Sequence, residues 1–163
     1  MSLGLVANNR RVIKSGNEYN RFFGQPKSTD RILGYGNTFR TIDLMRELVA
    51  DTLDQTKKIA PKLRGSNKRQ TLKNIWNFCY NHFQYKEDSQ DAEQLREPNR
   101  SWADRKTGID CDCFTILISS ILTNLGIEHS MRKAAYSKQG NFQHIYVVVP
   151  IKNKNLRWQE KII

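Results

Sequence analysis

Apolar positions along the chain fall into two stripes at helical spacing, one segment that is apolar nearly all round, and a β-rich tail. Ile42, Leu44, Met45, Leu48, Val49 and Leu53 recur at the spacing of a half-buried helix, which Pro61 and Gly65 are expected to break. A second helix is predicted over about 67–83, with Leu72, Ile75, Trp76, Cys79 and Phe83 on one face. Residues 86–110 form a polar segment with few candidate core residues, and loops of that length in compact domains are often functional. The pattern then changes. Over 111–126, Phe114, Ile116, Leu117, Ile118, Ile121, Leu122 and Leu125 cover most of a helix circumference, as in a helix buried at the centre of a domain, and Gly126 is a natural helix stop. Strands are predicted over 130–136, over 142–149 with the run HIYVVV, and over 156–163 after a turn at KNKN. Helices followed by an antiparallel sheet give the α+β class.

Ahead of the first helix, residues 1–36 are rich in Gly, Asn and Arg. They read as a basic, irregular arm in front of a domain over 37–163. Tyr19 with Phe22 and Phe23, and Tyr35 with Phe39, are placed to pin that arm to the body. A hydrophobic fraction of 38% and an aromatic fraction of 10% support a real core and exclude wholesale disorder. No apolar run is long enough to cross a bilayer, and the N-terminal charges follow the apolar residues, the reverse of a secretory signal. Three cysteines cannot all pair, and a chain of this length needs no disulfide staple, so a reducing, cytoplasmic setting is expected.

The net charge of +11 is uneven: residues 1–70 hold 14 basic and 6 acidic residues, and residues 71–163 hold 13 and 10. The excess is densest at Lys57, Lys58, Lys62, Arg64, Lys68 and Arg69, a run without an acid. Such a patch suits contact with a polyanion, and it equally suits a solvated rim. No aromatic residue interleaves the run as a stacking platform would require.

Candidate chemistry centres on Cys111, the first residue of the central helix, directly behind the polar segment. The positive end of a helix dipole favours thiolate there, and thiolate is the nucleophile of covalent catalysis. His144 opens a later strand and is the candidate base. A buried cysteine acting as a small hydrophobe is the plainer alternative. Cys113 and Cys79 read as packing residues, and His82 and His129 as surface or interface histidines. Zinc on Cys111, Cys113, His144 and one further histidine is a poor fit, because the C-x-C pair has no second close pair and diverges along a helix. No phosphate loop, H-E-x-x-H or G-x-S-x-G motif is present, so no cofactor and no metal are expected.

The segment GIDCDCFTILISSILTNLGI resembles the nucleophile helix of transglutaminase-like, papain-fold proteins, in which such a Cys leads an apolar helix ending in L-G-I. FQHIYVVVP resembles the family's His strand, and IWNFCYNHFQYKED the helix and Y-x-x-D ahead of the active-site loop. The resemblance spans roughly residues 70–163. It implies a papain-like core with a central Cys-bearing helix on an antiparallel sheet, acting on a peptide or protein substrate. By position Cys111 would be the nucleophile and His144 the general base and acid, and Cys113 falls where many relatives have Asp. Oxyanion donors are sought in the backbone N–H of Cys111 or Asp112 and in the side chains of Gln94 and Trp102. Asp110 and Asp112 are expected to cap the helix or to pair with Arg105. The group orienting the imidazole should lie near residues 160–165, where Glu160 is the acid in range. No D-P pair is present, and an apolar strand stopping at Ile163 favours a longer natural chain that supplies this group. The implied activity is thiol-dependent hydrolysis of an amide; the alternative is a non-catalytic binding or assembly module using the basic N-terminal half.

Overall fold

A computed structural model describes residues 10–27, 31–33, 38–88, 93–135 and 144–150. Helix α1, Thr38–Asp51, buries Met45, Leu48 and Val49, the stripe expected of it. It ends at Thr52, not at Pro61. The Thr52 hydroxyl donates to the Leu48 carbonyl (2.6 Å), and two single-turn helices follow, α2 (Leu53–Thr56) and α3 (Ala60–Leu63). Pro61 lies in the first turn of α3, where its missing N–H costs no bond.

Helix α4, Lys68–His82, starts at Asn67, whose side chain accepts from the Gln70 amide (2.9 Å). Its buried face is Thr71, Ile75, Phe78, Cys79 and His82, turned from the expected one so that Trp76 is 49% exposed. Two polar residues enter the core because each is satisfied there. The Thr71 hydroxyl donates to Asn67 O (3.0 Å) and accepts from Gly65 N (2.9 Å), while the His82 ring packs on Tyr19 and Phe78. His82 is thus a core histidine and not a surface one.

The polar segment 86–110 is also built, contrary to its expected loop character. It holds strand β2 (Glu93–Leu95), paired antiparallel with β1 (Arg31–Leu33) so that Arg31 faces Leu95, and helix α5 (Pro98–Asp104). Hydrogen bonds replace hydrophobicity as the reason for its burial. The fully buried Glu97 carboxylate accepts from Gln55 Nε2 (2.8 Å) and from the Lys27 amide. Gln55 Oε1 accepts from the Asn99 amide (2.9 Å), and Asn99 Oδ1 from the Gly24 amide (2.9 Å). These bonds fasten the arm to α2 and α5.

Helix α6, Cys111–Asn124, runs through the centre as its pattern predicts. Cys113, Leu117, Ile121, Leu122 and Leu125 join a larger cluster with Ile75, Phe78, Phe83 and Trp102; Ile116 joins a smaller one with Met45, Leu48, Leu95 and Ile145. Gly126, at φ 67°, closes the helix: its amide donates to Thr123 O (3.0 Å) and the Ile127 amide to Leu122 O (3.0 Å). Strands β3 (Ser130–Ala134) and β4 (His144–Val148) pair antiparallel with Lys133 opposite Ile145. The strand expected at 156–163 and the Tyr35–Phe39 contact lie outside the described residues or side chains. Mixed helices and antiparallel strands make the fold α+β, as expected. In the arm, a 3₁₀ turn over Asn17–Phe22 presents Tyr19 to Phe78 and Trp102, and Phe23 stacks on Trp102 at 4.7 Å.

Candidate active site

Two backbone devices aim the start of α6. Residues 84–86 run parallel to 109, with Ile109 N donating to Gln84 O (3.1 Å) and Lys86 N to Ile109 O (3.1 Å). Gly108, at φ 119°, makes the entry turn, where a Cβ would fall 2.6 Å from that of Lys86. Asp110 then caps the helix, its Oδ1 accepting from the amides of Asp112 (3.2 Å) and Cys113 (3.4 Å). With those two amides committed to the cap and the Phe114 amide on Asp110 O, the Cys111 amide is, among the described residues, the backbone donor left at the helix start.

Cys111 and Cys113 are two residues apart on a helix, so their side chains leave on different sides. Cys111 packs with the smaller cluster, which includes Ile145 of β4. One turn further, the Thr115 hydroxyl donates to Ile145 O (3.2 Å). The Ile145 carbonyl is therefore held by α6, and His144 is the preceding residue of the strand, its ring 5.6 Å from that of Tyr146. The fold brings the helix start carrying Cys111 against the strand start carrying His144.

The electrostatics oppose a preformed thiolate. Burial raises the Cys111 pKa first, then the Asp112 carboxylate and, further down, Asp110, to about 12; the Ile145 amide pulls the other way. The thiol also donates to Asp112 Oδ1 (3.5 Å), which favours the protonated form. The resting sulfur is a thiol. Removing the carboxylate with the larger effect by Asp112→Asn is expected to speed alkylation of Cys111 by iodoacetamide several-fold at pH 8, read by peptide mass mapping. An unchanged or slower rate would contradict this electrostatic account.

Cys113 is fully buried and donates to Gln94 O (3.1 Å), while Arg96 Nη1 donates to its Sγ (3.4 Å). Burial and Asp110 push this thiol up to about 12 as well. Arg96 also lies 3.3 Å from Asp88 Oδ1 and 3.3 Å from Asp104 Oδ2. Asp88 Oδ2 accepts from the Gln94 amide (2.6 Å). Asp110 titrates near 6, raised by burial and by Asp88. This ionic cluster is what fixes the floor beneath the helix start, and sequence reasoning assigned it no role. Its signal was the Y-x-x-D motif, whose Asp88 holds Arg96. Partial burial of the half-exposed Tyr85, followed by the carboxylates of Glu87, Asp110 and Asp112, raises its phenol to about 12.

Several expected assignments change. Trp102 is 5% exposed, and its indole N–H donates to Asn20 Oδ1 (3.0 Å), so it is a core plug with its donor committed. Arg105 does not pair with Asp110 or Asp112; its guanidinium lies 4.0 Å over the Trp102 ring and donates to Trp102 O and Ser15 O. The contacts of the Gln94 backbone are with Cys113 and Asp88. His129 bonds Ser119 Oγ (2.7 Å) and Ile127 O (2.8 Å). Among the described residues no group of three or more His, Cys, Asp or Glu is placed to hold a metal ion, and no helix is long and apolar enough to cross a membrane. Glu160 lies outside the described residues.

A central apolar helix led by cysteine, capped by aspartate and packed on a histidine-led strand is the core expected from the resemblance. The family model of the transglutaminase-like domain matches residues 54–157, more than half of the chain, and the chain belongs to that family. Comparison with curated proteins and with solved structures returns no match.

Proposed function

We propose that the chain is a thiol-dependent hydrolase of amide or peptide bonds, with Cys111 as nucleophile and His144 as general base and acid. The observation that carries this reading is the packing of the α6 start on β4, Cys111 against the cluster of Ile145 and the Thr115 hydroxyl on Ile145 O, one residue from His144, in a chain of the transglutaminase-like family. Because the resting sulfur is a thiol, its proton passes to the His144 ring as the S–C bond to the substrate carbonyl forms. The oxyanion that develops is met by the Cys111 amide at the positive end of α6. His144 returns the proton to the nitrogen as the C–N bond breaks, releasing the amine and leaving a thioester. Water then attacks the thioester, giving its proton through His144 to the departing sulfur. An amine in place of water gives cross-linking from the same intermediate. Glu160 is the candidate in this chain for orienting the imidazole. A thiol nucleophile suits a reducing, cytoplasmic setting, in keeping with the three free cysteines.

The test is to trap the intermediate. The protein is mixed with p-nitrophenyl acetate and, separately, with peptide p-nitroanilides, quenched in acid and mapped by mass spectrometry. A hydroxylamine-labile acyl group on Cys111, absent from Cys111→Ala, is the expected result. Folded protein that forms no adduct on Cys111 even with the activated ester overturns the reading.

A further inference from the structure

Helix α4 carries a second feature on the side opposite its buried face. Arg69, Lys73, Trp76 and Tyr80 follow one another at steps of four, three and four residues, so they line one stripe of the helix. All four are exposed. Trp76 and Tyr80 are 49% and 50% exposed and stack on each other, ring centroids 4.7 Å apart and 13° from parallel. The Arg11 guanidinium lies 4.1 Å over the Tyr80 ring, bringing a cation from the arm to the end of the stripe. Among the described residues neither Arg69 nor Lys73 makes an ion pair. The sequence reading found no aromatic within the basic run 57–69. Folding supplies them from the next turns of the helix.

The charge around this stripe is one-sided. Residues 55–86 contain eight Lys and Arg and no Asp or Glu. Lys57, Lys58, Lys62 and Arg64 are exposed, with Arg64 reaching the Leu125 carbonyl (3.4 Å) and Lys68 the Pro150 carbonyl (2.9 Å). A flat pair of stacked rings among unopposed cations fits a partner that has both phosphates and accessible base faces. An acidic peptide would use the cations and leave the rings idle. Duplex DNA hides its base faces. We propose that this face of α4, with Arg11 and the cations of 57–69, binds single-stranded nucleic acid without sequence preference, by base stacking on Trp76 and Tyr80 and by phosphate contact with Arg69 and Lys73.

The experiment is fluorescence anisotropy of end-labelled dT20, with U20, a 20-base-pair duplex and heparin as competitors, over a salt series. dT20 is expected to bind and to be displaced more weakly by the duplex and by heparin than by unlabelled dT20. Trp76→Ala with Tyr80→Ala should weaken binding by about tenfold or more at every salt concentration, and Trp76→Phe should restore most of it. Arg69→Gln with Lys73→Gln should flatten the slope of log K against log salt by about 1.4, two contacts at about 0.7 each. Far-UV circular dichroism and thermal melting of each variant separate loss of the face from loss of the fold. Binding that heparin removes as well as dT20, that the double aromatic variant retains, or for which neither U20 nor unlabelled dT20 competes, overturns the proposal. So does a change of oligomeric state in Trp76→Ala with Tyr80→Ala while dT20 affinity holds, which makes the face a contact between two copies of the chain.

Discussion

Replacing His144 with alanine is expected to slow acylation of Cys111 by about 10²–10⁴-fold, the usual contribution of a positioned general base. The size follows from the state of the sulfur. A cysteine already held as thiolate needs its histidine only to protonate the leaving group, and an activated ester, which needs no such help, would acylate it nearly as fast without the imidazole. Cys111 is pushed up to about 12 by burial and two carboxylates, so at neutral pH nearly all of it is thiol and a base is required to make the nucleophile at all. The direction gives the pH dependence: without His144, the rate is expected to keep climbing with pH beyond the range of an ordinary cysteine. Stopped-flow acylation by p-nitrophenyl acetate in both proteins checks this. Equal rates at pH 7 would remove His144 from the acylation step.

Trp102→Ala is expected to destabilise the fold by about 3–5 kcal/mol, the range for deleting a buried aromatic side chain. Trp102 stacks on Phe23 at 4.7 Å and on Phe78 at 5.7 Å, and meets Phe83 edge-on. Arg105 covers it at 4.0 Å, and its indole N–H satisfies Asn20. The substitution therefore opens a cavity and unfastens the arm at once. Urea unfolding followed by circular dichroism measures the first effect. Limited proteolysis measures the second, with new cleavage expected within residues 10–27 under native conditions. Trp102→Phe keeps the stack and loses the N–H, so it should fall between the two proteins. A loss below about 1 kcal/mol in Trp102→Ala would show that the cluster does not hold the arm.

What was legible in the sequence was what a local pattern determines. Helices α4 and α6 carry their own stops, Asn67 and Asp110 at the start and Gly126 at the end, and their observed limits lie close to the expected ones. The pair β3–β4 is a β-rich run with its neighbour, and it too was found. The misses share a cause. Strand β2 and helix α5 are polar segments buried by partners far along the chain: Leu95 faces Arg31, and Glu97 and Asn99 are satisfied by Gln55 and residues 24–27. No periodicity records such bonds. Trp76 was read inward because hydropathy ranks tryptophan above threonine and histidine, whereas Thr71 and His82 find partners inside. At the site, the place of Cys111 at the helix start followed from the pattern. The state of its sulfur did not, since it depends on how deeply the thiol is buried and on Asp110 and Asp112 acting together.

The arm's attachment also sets an order of events during synthesis. Asn20 and Trp102 are 82 residues apart, and Tyr19 and Phe23 pack on the same indole. At about 5–20 residues per second, roughly 4–16 seconds pass between the appearance of the arm's aromatic residues at the ribosome and that of their partner. Phe78 and His82 of α4 are made earlier and cover part of Tyr19 and Phe23 before Trp102 completes the packing. Until α4 and α5 have both been made, the growing polypeptide carries a sticky aromatic segment.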